Sequence, residues 1–325
     1  MKATERILVS WREAGVAAAW PQVFGRTGDV HLEVGFGDGR YTVRRALDEP
    51  GGLYVGVEVS GVSVRRAIKN VRRSGVRNVR IMKGTAQAAA RQAFTAGSLA
   101  SVTVNFPDPW PKDRHESRRL LQGPFLDVLA DRLKLGGEVR LATDHEDYFH
   151  FSVAQLDAHP AFVRVPRMPP DAVFQTKYAL KWREQSKPVH YGVYRRVPAN
   201  VTTQPPIERP NPMPHALLTG PQPHFGTLEK TVIERGDAHV ILHEAAAVLT
   251  GDGQPTRVFV RTTVDEPEFT QQLLVAVQKR EGDEWIVRVE SFGDPIITDA
   301  VRGAVHGVTE WLAAQDGWQV TARNY

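Results

Sequence analysis

The 325-residue sequence contains no cysteine, which excludes disulfides and thiolate chemistry and agrees with an intracellular, cytoplasmic home. No apolar run approaches the roughly 20 residues of a membrane span. The opening residues MKATERILVSWREAG carry charges where a secretory signal needs an apolar core. No repeat occurs at the periods that mark solenoids. These absences predict a soluble chain that is neither exported nor held in a membrane. What remains is ordinary globular material, 42% hydrophobic and 24% charged, long enough for two domains.

Charge is divided unevenly. Residues 1–200 hold 31 Lys+Arg against 20 Asp+Glu, a net +11, whereas residues 201–325 hold 10 against 17, a net −7. A basic first half points to a polyanionic partner, most often nucleic acid. Between the halves, residues 198–223 contain eight prolines in 26 residues. Such chain joins neither a helix nor a sheet interior, so 198–224 reads as a linker between domains 1–197 and 225–325.

Within the first domain, short apolar runs alternate with helical patterns. DVHLEV (29–34), GLYVGVEVS (52–60), NVRIMKG, LASVTVNF and EVRLATD read as strands. RYTVRRALDE, VSVRRAIKNVRRSG, AQAAARQAF and ESRRLLQGPFLDVLADRL read as helices, the last of them ended by Gly136–Gly137. This is the pattern of βαβ units, and it predicts a doubly wound, mostly parallel α/β sheet covered on both faces. AFVRVP and HYGVYRRV add a late antiparallel pair. The second domain reads as a smaller α+β unit of antiparallel strands and one helix, with no catalytic constellation.

Ligands of doubly wound sheets bind beyond the carboxyl ends of the strands. The first such loop is EVGFGDG, with Gly35, Gly37 and Gly39 at alternate positions. A dinucleotide fingerprint places another glycine where Arg40 stands, so a pyrophosphate is disfavoured. Glu33, ahead of the first glycine, suits a ligand with positive charge. Glu58 ends the second strand, 23 residues after Gly35, and is placed to accept from ribose hydroxyls. S-Adenosylmethionine, with a ribose, an ammonium and a sulfonium but no phosphate, fits better than NAD. It needs no metal.

The stretch NFPDPWPKDRH (105–115) ends the fourth strand with three prolines and then turns basic. Asp108 is held between Pro107 and Pro109, and Trp110 offers a stacking face. Lys112, Arg114, His115, Arg118 and Arg119 follow, a cluster placed for phosphate contact. Arg65, Arg66, Lys69, Arg72 and Arg73 lie on one helix and read as a general basic face. Asp147 reads as a charge complementing a helix dipole.

HLEVGFGDGR, VGVEVS, NFPDPWPKDRHESRRLL, GGEVRLATDHEDY and TKYALKW, in this order, resemble the bacterial tRNA (guanine-N7-)-methyltransferase family over roughly residues 20–196. The resemblance implies S-adenosylmethionine as donor and a guanine of tRNA, position 46 of the variable loop, as target. It puts donor-site acids at Glu33, Glu58 and Asp108, with Asp108 also the catalytic position. Substrate contacts fall at Lys112, Asp144, Thr176 and Lys177, and Arg114 joins them from the basic cluster. Three positions depart from the family. Thr85 stands where an acid meets the adenine amino group, and a neutral acceptor there can also bond that amine. Pro111 replaces a histidine, and Ala179 a glutamate for which Glu184 is the alternative. Two rival readings use the same scaffold. A class I methyltransferase could instead act on another RNA, a protein or a small molecule, and the last two need no basic cluster beside FPDPW. A non-catalytic RNA-binding protein needs neither Glu33 nor Glu58.

Overall fold

The computed structural model of the chain describes residues 6–11, 19–176, 179, 188–201, 213–224, 226, 228–251, 253, 255–267, 269–292 and 294–325. It divides into two units, 1–207 and 208–325.

The first unit follows the alternation written in the sequence. Helix α1 (Trp20–Phe24) precedes β1 (Val30–Val34), α2 (Arg40–Asp48), β2 (Leu53–Glu58), α3 (Gly61–Ser74), β3 (Val79–Lys83), α4 (Ala86–Ala93) and β4 (Leu99–Asn105). After a 3₁₀ turn (Asp113–Arg118) come α5 (Gly123–Arg132), β5 (Leu133–Thr143), α6 (Glu146–Ala158), β6 (Phe162–Val165), α7 (Asp171–Phe174) and β7 (His190–Arg196). The sheet order is β3-β2-β1-β4-β5-β7-β6. Strands β1 to β5 are parallel, and β7 runs antiparallel to both β5 and β6. The order reverses between β1 and β4, which opens a crevice beyond their carboxyl ends. Strand β2 is buried along almost its whole length, as a parallel strand covered on both faces must be.

Two boundaries differ from the sequence expectation. The helix expected over 116–133 begins only at Gly123, where Pro124 fits the first helical turn and lacks the donor needed further in. Ahead of it, the Gln122 side chain bonds the carbonyls of Glu116 and Arg119 and holds the break open. The helix ends at Arg132, not at Gly136–Gly137. Those glycines lie in a bulge of β5, where Gly136 has φ 79° and a Cβ on Gly137 would meet the Lys134 carbonyl at 2.9 Å.

In the second unit, β8 (His215–Thr219), β9 (Thr231–Arg235), β10 (Ala238–Leu249), β11 (Pro255–Glu266), β12 (Phe269–Lys279), β13 (Glu284–Val289) and β14 (Gln319–Arg323) form one antiparallel sheet, ordered β14-β8-β13-β12-β11-β10-β9. Helix α8 (Asp299–Ala313) buries Val301, Ala304, Val305, Val308 and Leu312 in a core shared with Val240, Val258, Val275 and Val287. Strand β8 falls inside the stretch expected as linker, where it pairs with β13 and β14. Among the described residues no helix is long and apolar enough to cross a membrane.

Candidate active site

The glycine loop is anchored by an aromatic plug. Phe36 is buried against Gly56 of β2, where a Cβ would lie 2.5 Å from the Phe36 ring. Its burial pulls the backbone into a turn in which Gly35, Gly37 and Gly39 take φ of 66°, 58° and 78°. Only glycine adopts this region without strain. Cβ atoms on Gly35 or Gly37 would meet nothing within 4 Å among the described residues, so the described chain leaves space open beside the backbone there. Glu58 ties the loop to β2: Oε2 accepts from the Gly37 N–H (3.1 Å) and Oε1 from the Ser60 N–H (2.9 Å).

Glu33 is buried in the sheet rather than standing free at the strand end. Its Oε2 accepts from the Thr42 hydroxyl on α2, and its Oε1 accepts from the Asn105 amide at 3.2 Å. Burial lifts its pKa from the ordinary 4.5 to about 7, against the opposing pull of those two hydrogen bonds. Glu33, Gly35, Gly37, Asn105, Phe106 and Thr176 line one cleft at the point where the strand order reverses. Asn105 Oδ1 is buried, with no hydrogen-bond partner among the described residues. A buried polar atom left without a partner is costly.

The FPDPW turn is strained as well as stiff. Phe106 (φ 50°) and Trp110 (φ 44°) both occupy the left-handed region that bulky residues avoid. The Phe106 N–H donates to the Ala142 carbonyl of β5 (2.7 Å), and Arg119 Nε donates to the Pro109 carbonyl (3.3 Å). Between these two anchors Asp108 is exposed. Trp110 meets His115 edge-on at 5.7 Å, and the Arg118 guanidinium lies 5.0 Å from its ring centroid.

The basic cluster separates into two kinds of residue. Lys112, Arg114 and Arg118 are exposed. Arg119, expected among the phosphate contacts, is only 8% exposed. Its guanidinium lies 4.6 Å from the Phe151 ring centroid and pairs with Glu116 at 3.3 Å. Arg119 therefore braces the turn.

Asp144 is half-buried just beyond β5, ahead of α6, whose first turn carries Glu146 and Asp147. Thr176 is buried, donating to the Val173 carbonyl (3.0 Å) and accepting from the Ala179 N–H (3.1 Å). Thr85 caps α4 by accepting from the Ala88 N–H (3.2 Å). Lys177 and Glu184 lie outside the described residues. Among the described residues no group of three or more His, Asp or Glu is arranged to hold a metal.

Three contributors escaped the sequence reading. Asn105 looked like the last residue of an apolar strand, and Thr42 and Tyr41 like ordinary helix residues. The available signal was positional: a polar residue ending β4 faces whatever ends β1 next to it. The buried Tyr41 hydroxyl is raised above its usual pKa, first by burial and then by the Glu33 charge.

Comparison with known proteins identifies the family. A family described as "Putative methyltransferase" matches residues 27–191. A Thermus thermophilus protein named tRNA (guanine-N(7)-)-methyltransferase is 40% identical over 299 residues, covering 91% of this chain and 94% of that one. A Deinococcus radiodurans protein of the same name is 41% identical over 305 residues, with 90% and 92% coverage. A third, from Thermotoga maritima, is 32% identical over 299 residues, with 91% and 93% coverage. Both units thus fall within the span of these matches, and the chain belongs to the tRNA (guanine-N(7)-)-methyltransferase family.

Proposed function

We propose that this enzyme transfers a methyl group from S-adenosylmethionine to N7 of a guanine in tRNA, position 46 of the variable loop, in the cytoplasm. The observation that carries the donor reading is the buried Glu33–Asn105 pair, its acceptor unpartnered among the described residues, lining one cleft with Gly35 and Gly37. A carboxylate and a carbonyl suit an α-ammonium and would repel a pyrophosphate. Glu58, already oriented by two backbone N–H groups, has lone pairs left for ribose hydroxyls. Thr85 keeps one acceptor lone pair beyond its cap for an adenine amine. The donor, once bound, supplies an electrophilic methyl group on a sulfonium.

Guanine N7 carries an in-plane lone pair, so no proton must leave before attack and no general base is required. The protein's work is placement, exclusion of water and accommodation of charge. Positive charge passes to the guanine ring, and Asp108 offsets it while accepting from the ring N1–H or amino group. The strained turn fixes where that carboxylate stands. Trp110 offers its ring for stacking, and exposed Lys112 and Arg114 take phosphates, joined by Asp144, Thr176 and Lys177 as further substrate contacts. Incubation with labelled S-adenosylmethionine and separate pools of unmodified tRNA, ribosomal RNA and protein tests the reading. Label entering tRNA supports it; label confined to another pool overturns it.

A further inference from the structure

Helix α3 carries five exposed cations, Arg65, Arg66, Lys69, Arg72 and Arg73. At 3.6 residues per turn they fall within an arc of about 120°. The opposite face buries Val64, Ala67 and Val71. From Arg65 to Arg73 the stripe is about 12 Å long.

Among the described residues these cations have no ion pair, whereas their neighbours do. On α2, Arg44 meets Asp48 at 2.9 Å and Arg45 meets Glu49 at 2.7 Å, while Arg40, at its start, meets Asp38 at 3.0 Å. No described carboxylate lies within ion-pair reach of any of the five on α3. They also repel one another. Arg65 and Lys69, and Lys69 and Arg73, stand four apart, and Arg66 and Arg72 each stand three from Lys69. Like charges at those spacings destabilise a helix. Residues 61–77 contain six cations and no acid, whereas a face kept polar only for solubility mixes both signs. A local penalty with no local compensation marks a surface whose counter-charge is another molecule.

The stripe begins at the donor cleft, because Ser63 and Arg66 line it. We infer that this face of α3 is a second docking surface for tRNA, holding the phosphate backbone of the tRNA body away from the reacting guanine. The inference rests on tRNA being the substrate. Guanidinium forks chelate phosphate oxygens, and such contacts set orientation without reading sequence. The surface therefore governs how the tRNA is gripped, and the FPDPW turn governs what happens to the base.

The test is a variant carrying Arg65→Gln, Lys69→Gln, Arg72→Gln and Arg73→Gln, with Arg66 kept because it borders the cleft. Affinity for an unmodified tRNA transcript is measured across a salt series, beside S-adenosylhomocysteine binding and thermal melts. We expect tRNA binding weakened about tenfold or more at low salt, with the log–log salt slope flattened by about 0.7–0.9 for each phosphate no longer neutralised. KM for tRNA rises while kcat at saturation stays within about twofold, and S-adenosylhomocysteine binds as in the parent. Replacing the three arginines by lysine keeps most of the slope. An unchanged slope and affinity in a folded variant overturn the inference. If the quadruple variant does not fold, the pairs Arg65→Gln/Lys69→Gln and Arg72→Gln/Arg73→Gln are judged by the same criterion. If the parent protein binds S-adenosylhomocysteine but shows no salt-dependent tRNA binding, the functional reading itself fails and takes this surface with it.

Discussion

The Asn105 amide donates to Glu33 Oε1 across 3.2 Å, while its own Oδ1 is buried with no partner among the described residues. The carboxylate fixes which way the amide points, because the opposite orientation sets oxygen against oxygen. On the proposed donor reading that acceptor takes the ammonium N–H, and a hydrogen bond from a charged donor is worth about 1.5–3 kcal/mol. Asn105→Ala is expected to weaken S-adenosylhomocysteine binding by about ten- to a hundredfold. 5′-Methylthioadenosine lacks the amino-acid end and should lose less than about threefold. Calorimetry with both ligands decides; equal losses would remove Asn105 from the ammonium site.

Glu33 makes both stability and donor affinity depend on pH, with opposite signs. Between pH 4.5 and about 7 the folded chain holds a proton on Glu33 that the unfolded chain has released. Folding stability contributed by this group therefore falls as pH rises through that window and levels off above it, by up to about 3 kcal/mol. Donor binding runs the other way, because an ammonium prefers the ionised carboxylate, so affinity tightens as pH rises through about 7. Glu33→Gln should flatten both profiles. Denaturant melts and donor titrations at a series of pH values measure them, and two parallel profiles in the variant and the parent would contradict this assignment.

Arg118 and Arg119 are adjacent in sequence and opposite in exposure. Arg119→Gln removes the brace on the Pro109 carbonyl and should lower the melting temperature by several degrees, a loss of about 1–3 kcal/mol. The salt dependence of tRNA binding should stay unchanged. Neutralising Arg114 and Arg118 should do the reverse, flattening the salt slope with melting unmoved. Melts and filter binding on the two variants separate the roles, and a flattened slope for Arg119→Gln would return it to the RNA face.

Much of the first unit was readable because each parallel strand is a short buried run cut off by a glycine or a helical pattern, as in LYVGVE before Ser60 and α3. What was hidden follows from tertiary contacts. Strand β8 lies between Pro214 and Pro221, and its five residues HALLT were obscured by the proline density around them. Leucines and arginines suit a helix throughout 116–133, so the pattern predicts one there, whereas Pro124 and the pinning of Gln122 set the start at Gly123. At the site, glycine spacing and carboxylates were visible, whereas the burial of Glu33 and the bond from Asn105 depend on the β1–β4 pairing. Nothing in the sequence distinguishes Arg118 from Arg119. The chain turns out of the 3₁₀ segment between them, and only the second side chain reaches the interior.

Mapping the methyl group on one tRNA transcript, by chemical cleavage at 7-methylguanine after a single turnover with S-adenosylmethionine, tests the central claim most directly. The account predicts one cut, at the variable-loop guanine of position 46. In Asp108→Asn that cut should form about ten- to a hundredfold more slowly, since a carboxylate's charged hydrogen bond worth about 1.5–3 kcal/mol is lost. Melting should be unchanged, because Asp108 is exposed and the prolines remain. No cut, a methyl group on another atom, or parental rates in Asp108→Asn would contradict it.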